Sequence, residues 1–404
     1  MSQPVLHGWA GIDVGKGHHW VCLIDEAGTT VWSSKVINDE GAILEAISGV
    51  LSRANQVVWG VDVTGTMSGL LLALLAAHGQ QVKYAPGRTV NQMAGAYRGE
   101  AKTDARDAYV IAETVRHRGD LAKVEVSTAL VSELRLLVTH RTDLVGDRVR
   151  MVNRLRDVLS GYFPALERSF DYAHSRSALT LLTGYQTPQA IRRIGETRLR
   201  AWLVKRKVRS AEKIAAAAVA AAKTQYTVVP GQDVAASIVA DLATQLLAIG
   251  ARIGELDTRI TTTFRAHPQA EIIESLPGMG PILGAELIAV AGDLNGYANA
   301  GRLASAAGLV PVPRDSGRRT GNLHRPTRYS RKLRRVFYLS ASAAMMREGP
   351  NRDYYLKKRG QGQKHVQALI ALARRRVDVL WALLRDNRPF ELAPPTREQM
   401  AQTA

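Results

Sequence analysis

Cysteine is nearly absent: Cys22 is the one cysteine in 404 residues. An intrachain disulfide is therefore impossible, which excludes a disulfide-stapled secreted scaffold and fits a reducing cytoplasm. Cys22 lies in the apolar run Trp-Val-Cys-Leu-Ile and reads as a small core residue. No uninterrupted apolar run reaches about 18 residues, so neither a membrane-spanning helix nor a membrane partner is expected. The opening Met-Ser-Gln-Pro-Val-Leu-His-Gly-Trp has no charged stretch ahead of an apolar one, so no signal peptide is expected. Negative charge is scarce as well: 36 Asp plus Glu face 54 Lys plus Arg, a formal net charge of +18. This balance points to a polyanionic partner; an anionic membrane surface is the rival explanation, and nucleic acid is the partner expected. The excess is segregated. Residues 300–388 hold 21 Lys plus Arg and 5 Asp plus Glu, and such segregation favours a binding face over general solvation.

What is present suffices for two or three domains: 404 residues, 46% of them hydrophobic. Residues 8–36 read as three short strands broken by glycine, an antiparallel meander. Residues 39–53 read as a helix with Ile43, Leu44, Ile47 and Leu51 on one face. A buried strand over 56–63, a helix over 67–77 and a strand over 81–85 imply parallel pairing. A helix then begins at Thr103 or Asp104 and runs to 117. From about 127 the texture changes. Leu130, Leu134, Leu137, Val145, Val149, Val152, Leu155 and Leu159 mark a long amphipathic helix that Pro164 ends or bends. Shorter helices fill 176–223, a linker covers 227–233, and a second long helix carries Ile238, Leu242, Leu246, Ile249, Ile253, Leu256 and Ile260. Two such helices suit an antiparallel coiled-coil arm, a dimer contact or two core helices of a bundle. The domains expected are 1–125, 126–268 and 269–390, with a disordered tail at 391–404.

Four carboxylates stand out by position. Asp13 and Asp62 each end a strand, and Asp104 and Asp107 sit one helical turn apart. Neighbouring strand ends converge in an α/β sheet, and a following helix can present its first turn there. Four carboxylates at one point repel one another unless divalent cations neutralise them, and oxygen-only ligands suit Mg²⁺ or Mn²⁺. Two such ions can activate a nucleophile and stabilise a leaving oxygen in phosphodiester cleavage. Taken singly, each residue also suits a turn or a helix cap. His18 and His19 are adjacent, so on a strand they point to opposite faces and share no metal.

The C-terminal region carries the phosphate chemistry. Leu276-Pro277-Gly278-Met279-Gly280 reads as a tight turn between helices. Gly278 and Gly280 let backbone N–H groups approach a phosphate, as in a helix-hairpin-helix, and a plain helix–helix turn is the alternative. Ser316 lies beside Gly317 among Arg314, Arg318 and Arg319. Guanidiniums there can hold a phosphodiester, but serine needs an activating base or metal to attack one. A turn serine among phosphate-positioning arginines is the other reading, and Ser305 and Ser330 are rival serines. Arg325, Arg328, Lys332, Arg334, Arg335, Lys357, Lys358, Arg359, Lys364 and Arg374 to Arg376 are candidate backbone contacts. Tyr354 and Tyr355 suit packing better than base stacking.

Three segments carry a resemblance: GIDVGKGHHWVCLID, VVWGVDVTGTMSGLLLALLAAHGQQV and AKTDARDAYVIAETVR. They resemble the DEDD domain of the insertion-sequence one-ten transposases, a family that includes Piv-type invertases. LPGMGPILGAELIA and GLVPVPRDSGRRTGNLHRPTRYSRKLRRVFYLSA are similar to that family's second, transposase domain. The resemblance spans roughly 8–388, and its motifs keep the family's order. It implies an α/β plus all-α fold: a ribonuclease-H/RuvC-like domain, a helical coiled-coil middle and a basic helical transposase domain. It also implies Mg²⁺ on Asp13, Asp62, Asp104 and Asp107, and a nucleophilic Ser316 that forms a covalent DNA intermediate. Further implications are a bridge RNA pairing with donor and target DNA, and a nucleoid-associated homo-oligomer, dimer to tetramer, with composite sites. The second acidic position is usually Glu; Asp62 is one methylene shorter, which moves metal geometry by about an ångström. Two alternatives stand beside this: a resolvase-like nuclease in which water attacks, and a non-enzymatic nucleic-acid binder.

Overall fold

The computed structural model describes residues 5–63, 66–97, 103–124, 128–292, 294, 297–317 and 320–392. Two compact units divide at 127/128. In the first, β1 (Val5–Asp13), β2 (His18–Ile24) and β3 (Thr30–Ile37) form the expected meander, and α1 (Glu40–Leu51) leads to β4 (Ala54–Val61). α2 (Gly69–Ala77), β5 (Gln81–Tyr84), α3 (Gly87–Ala94) and α4 (Asp104–His117) follow. The sheet order is β3-β2-β1-β4-β5. β1 pairs antiparallel with β2 and parallel with β4, and β4 runs parallel to β5. This is a mixed α/β domain, as expected.

Strand alternation assigns each face of the sheet. Ala10, Ile12, Val21, Leu23, Trp59 and Val61 pack with α1 and α2 in one hydrophobic cluster. The intervening residues face α4, where buried Cys22 and Ile24 meet Ala108 and Ala112. Gly11 permits this approach: a Cβ there would stand 2.1 Å from the Ala108 carbonyl oxygen. The first turn of α4 is thereby pressed towards the strand ends.

The second unit is helical. α5 (Ala129–Tyr162), α6 (Pro164–Ser169), α7 (Arg176–Leu182), α8 (Pro188–Lys205), α9 (Ala211–Lys223) and α10 (Gln232–Arg265) come first. Next are α11 (Ala270–Ser275), α12 (Pro281–Ala291), α13 (Ala300–Ala306), the short strands β6 (Val312–Pro313) and β7 (Leu323–His324), α14 (Arg331–Met345), α15 (Pro350–Gly360) and α16 (His365–Arg385). α5 and α10, each 34 residues long, run antiparallel. Arg259 bonds Glu133 at 2.8 Å and Arg141 pairs with Asp257 near one end, while Leu155 and Leu242 share a cluster near the other. The two helices thus join two hydrophobic centres, one built with α7–α9 and one with α11–α16. α10 corrects the membrane expectation in part: by length and composition alone it is apolar enough to span a bilayer. Its interruption by Asp241 hid this from a search for unbroken apolar runs, and here it packs along α5.

Candidate functional site

Asp13 is the last residue of β1, and Asp62 directly follows β4. The parallel register pairs Ile12 with Val61, so the two carboxylates emerge side by side. Alternation places both on the α4 side of the sheet. There, the Thr103 hydroxyl caps α4 by accepting from the Arg106 N–H at 3.3 Å. Asp104 and Asp107 occupy the first turn of α4.

The electrostatics show crowding. The Asp13 carboxyl is pushed up to about 6, first by burial and then by Asp62, Asp107 and Asp104, while His18 opposes the shift. Burial also raises Asp62, against backbone N–H groups that favour its ionised form. One oxygen of Asp62, Oδ1, is buried with no hydrogen-bond partner. An unsatisfied carboxylate oxygen is costly unless another group completes it. Among the described residues, no three His, Cys, Asp or Glu side chains converge closely enough to form a ready-made metal cage. The donor chemistry nonetheless fits a hard divalent cation: four carboxylates, one of them holding an orphaned buried oxygen.

His18 was missed as a member of this site. Its Nε2 lies 3.1 Å from Asp104 Oδ2. The opposite-face argument for the His pair holds, since buried His19 turns away and meets Asn38 Oδ1 at 3.1 Å. The same alternation had a second consequence: one histidine of the pair must face α4.

The basic residues divide into shaped and free groups. Gly278 has φ +79°, and a Cβ there would stand 2.7 Å from the Ser340 carbonyl oxygen on α14. Its missing side chain therefore serves close packing as well as the turn. Gly280 sits exposed at the start of α12 with open space around it. Arg376 corrects an expectation: it is buried and not on a nucleic-acid face. It donates to the Pro277 carbonyl, to Ser340 Oγ at 2.7 Å and to Asn351 Oδ1 at 3.2 Å. Burial pushes its guanidinium down to about 10, still charged at neutral pH. Arg335 pairs with buried Glu286, and Arg374 with Asp378. Arg334 donates to the Gly308 carbonyl at 3.1 Å and lies 5.0 Å from the Tyr329 ring centre. Arg325 donates to the Tyr329 hydroxyl at 3.2 Å and lowers its pKa. Arg314, Arg325, Arg328 and Lys332 are exposed.

Ser316 is exposed between β6 and β7, followed by Gly317 at φ +55°. Asn322 fastens the base of this loop. Its N–H donates to Asp315 Oδ1 at 2.8 Å, its Nδ2 to the Arg314 carbonyl at 3.2 Å, and its own carbonyl accepts from the Arg314 N–H at 2.9 Å. Arg318 and Arg319 lie outside the described residues. Of the rival serines, Ser330 is occupied: its hydroxyl accepts from the Leu333 N–H at 3.2 Å and caps α14.

Comparison with known proteins finds matches in both the N-terminal and the C-terminal parts of the chain. A family model described as transposase, with a DEDD domain, matches residues 10–164. A second, the transposase IS116/IS110/IS902 family, matches residues 270–356. The chain is 60% identical over 390 residues to the IS116 uncharacterized 44.8 kDa protein of Streptomyces clavuligerus, covering 96% of this chain and 98% of that one. It is 49% identical to the IS900 uncharacterized 42 kDa protein of Mycobacterium paratuberculosis, over 98% and 99% of the two chains. It is 34% identical to the IS110 uncharacterized 43.6 kDa protein of Streptomyces coelicolor, over 97% of each.

Proposed function

The chain belongs to the IS116/IS110/IS902 transposase family of DNA-cutting and rejoining enzymes, and from that premise we propose that Ser316 attacks the DNA backbone with help from a Mg²⁺- or Mn²⁺-binding acidic centre. The observation that carries the acidic centre is the orphaned Asp62 Oδ1 beside an Asp13 carboxyl forced up to about 6. Asp13, Asp62, Asp104 and Asp107 would hold the cation. When bound, it supplies charge neutralisation and makes a nucleophile more acidic.

The chain's own residues account for the rest. Arg314, Arg318 and Arg319 hold the phosphodiester, and Gly317 lets the loop follow it. Ser316 Oγ gives up its proton as it bonds to phosphorus, and the P–O bond to one sugar breaks. The departing sugar oxygen takes a proton. Attack by a hydroxyl of another strand reverses these steps and releases Ser316. Exposed Arg325, Arg328 and Lys332, with the turn at Gly278 and Gly280, bind the DNA backbone. A ribonuclease-H/RuvC-like first domain, a coiled-coil middle (126–268), a transposase domain (269–390), a guiding bridge RNA and a dimer-to-tetramer assembly with composite sites complete the proposal. So does a cytoplasmic, nucleoid-associated location.

A second reading is supported by the acidic centre drawing all its carboxylates from the first unit. In it, water attacks and Ser316 only positions phosphate. The test of the acidic centre is Mn²⁺ titration followed by calorimetry, with strand cleavage measured alongside. Asp62→Asn should weaken Mn²⁺ binding and cut the cleavage rate by roughly 10²–10³-fold, whereas Asp62→Glu should retain both. Equal binding by wild type and Asp62→Asn would remove the acidic centre from the mechanism.

A further inference from the structure

Outside the C-terminal region, positive charge concentrates at the turn of the α8–α9 helical hairpin. Lys205, Arg206, Lys207, Arg209 and Lys213 are all exposed there, against one carboxylate, Glu212. Ser210 Oγ donates to Ser177 Oγ at 3.2 Å, which brings the start of α7 and exposed Arg176 beside the turn. Among the described residues, none of these six cations is in an ion pair.

Local stability explains only part of this cluster. Lys205 and Arg206 suit the negative C-terminal end of α8, and Arg206 lies 3.6 Å from the Trp202 ring centre. Arg209 and Lys213, however, flank the N-terminus of α9, the end of a helix where cations are disfavoured. Lys207 holds φ +59°, a left-handed conformation that a lysine adopts at a cost. Cations placed against these local preferences, and repelling one another, are relieved by an external polyanion.

We propose that the turn end of this hairpin, with Arg176, is a second DNA-docking surface that grips the phosphate backbone of a duplex. Its chemistry selects a duplex over unpaired strands. The aromatic side chain Trp202 near the turn is already engaged, with Arg206 over its ring at 3.6 Å and Tyr185 nearly perpendicular to it at 5.0 Å, which makes it a poor platform for base stacking. What remains is exposed cations, which read phosphate and not sequence. The surface depends on the chain's handling DNA and on no feature of the serine chemistry.

The test uses the full chain and a duplex of arbitrary sequence about 40 base pairs long, with binding followed by fluorescence anisotropy from about 50 to 300 mM KCl. Each phosphate contact contributes a slope of about −0.9 to log K against log salt. The triple variant Lys205→Gln, Lys207→Gln, Arg209→Gln should flatten the slope by roughly 2–3 with unchanged melting. A second variant, Arg176→Glu with Lys213→Glu, should weaken binding if the triple variant melts early. The slope is read from binding alone, with no cleavage step, so a failed serine mechanism leaves this readout intact. An unchanged slope in both variants overturns the proposal. So does a loss confined to a structured hairpin RNA probe, which would make this an RNA surface.

Discussion

His18 Nε2 lies 3.1 Å from Asp104 Oδ2, joining the start of β2 to the first turn of α4. The hydrogen bond engages one carboxylate oxygen, and in the proposed acidic centre the other would face the cation. Partners of this kind orient metal-binding carboxylates and typically change affinity or activity by about 10–100-fold. His18→Ala should therefore weaken Mn²⁺ binding by roughly tenfold, and His18→Asn should recover part of it. Identical Mn²⁺ titrations for wild type and His18→Ala would show that the contact has no bearing on the site.

The Asp13 shift carries a stability consequence. Its folded value of about 6 lies above the ordinary 3.8. The folded chain therefore binds this proton more tightly than the unfolded chain, and stability falls as pH rises from about 4 to about 6. Above that window the cost is constant. Asp13→Asn, which removes the charge, should stabilise the metal-free protein by roughly 1–2 kcal/mol at pH 7.5, after allowance for the half-exposed site. The gain should vanish near pH 4. Thermal melts of both proteins in EDTA at the two pH values measure it; a gain of equal size at both would locate its cause elsewhere.

Gly278 and Gly280 should respond differently to the same change. Gly278→Ala forces a Cβ to 2.7 Å from the Ser340 carbonyl oxygen and 2.9 Å from the Ala344 nitrogen, at φ +79°. We expect a loss of about 2–4 kcal/mol. Gly280→Ala meets open space, and its stability should change by less than about 1 kcal/mol. Urea midpoints compare the two, and small equal losses would mean that the turn does not depend on its approach to α14.

Much of the fold was legible because periodicity reports faces. Short apolar runs broken by glycine marked β1 to β3, and the 3- and 4-residue steps of Leu134, Leu155, Leu242 and Ile260 marked α5 and α10. The acidic residues were legible from strand ends and an i, i+3 spacing. What escaped depends on which element comes to lie opposite. Arg376 sits in a run of three arginines, and only the placement of α14 and Pro277 buries it. His18 resembles His19 until α4 is laid against one face of β2. The cationic turn at Lys205 to Lys213 was masked by the larger excess over 300–388, because net charge is a sum and does not show where helix ends fall.

The most direct measurement is covalent capture. Wild type, Ser316→Ala and Asp104→Ala are incubated with bridge RNA, cognate DNA and Mg²⁺, then denatured and assayed for protein-linked DNA. The account predicts a wild-type adduct that maps to Ser316 and is lost in both variants. Cleavage without any adduct, surviving Ser316→Ala but abolished by Asp104→Ala, would contradict it and identify water as the nucleophile.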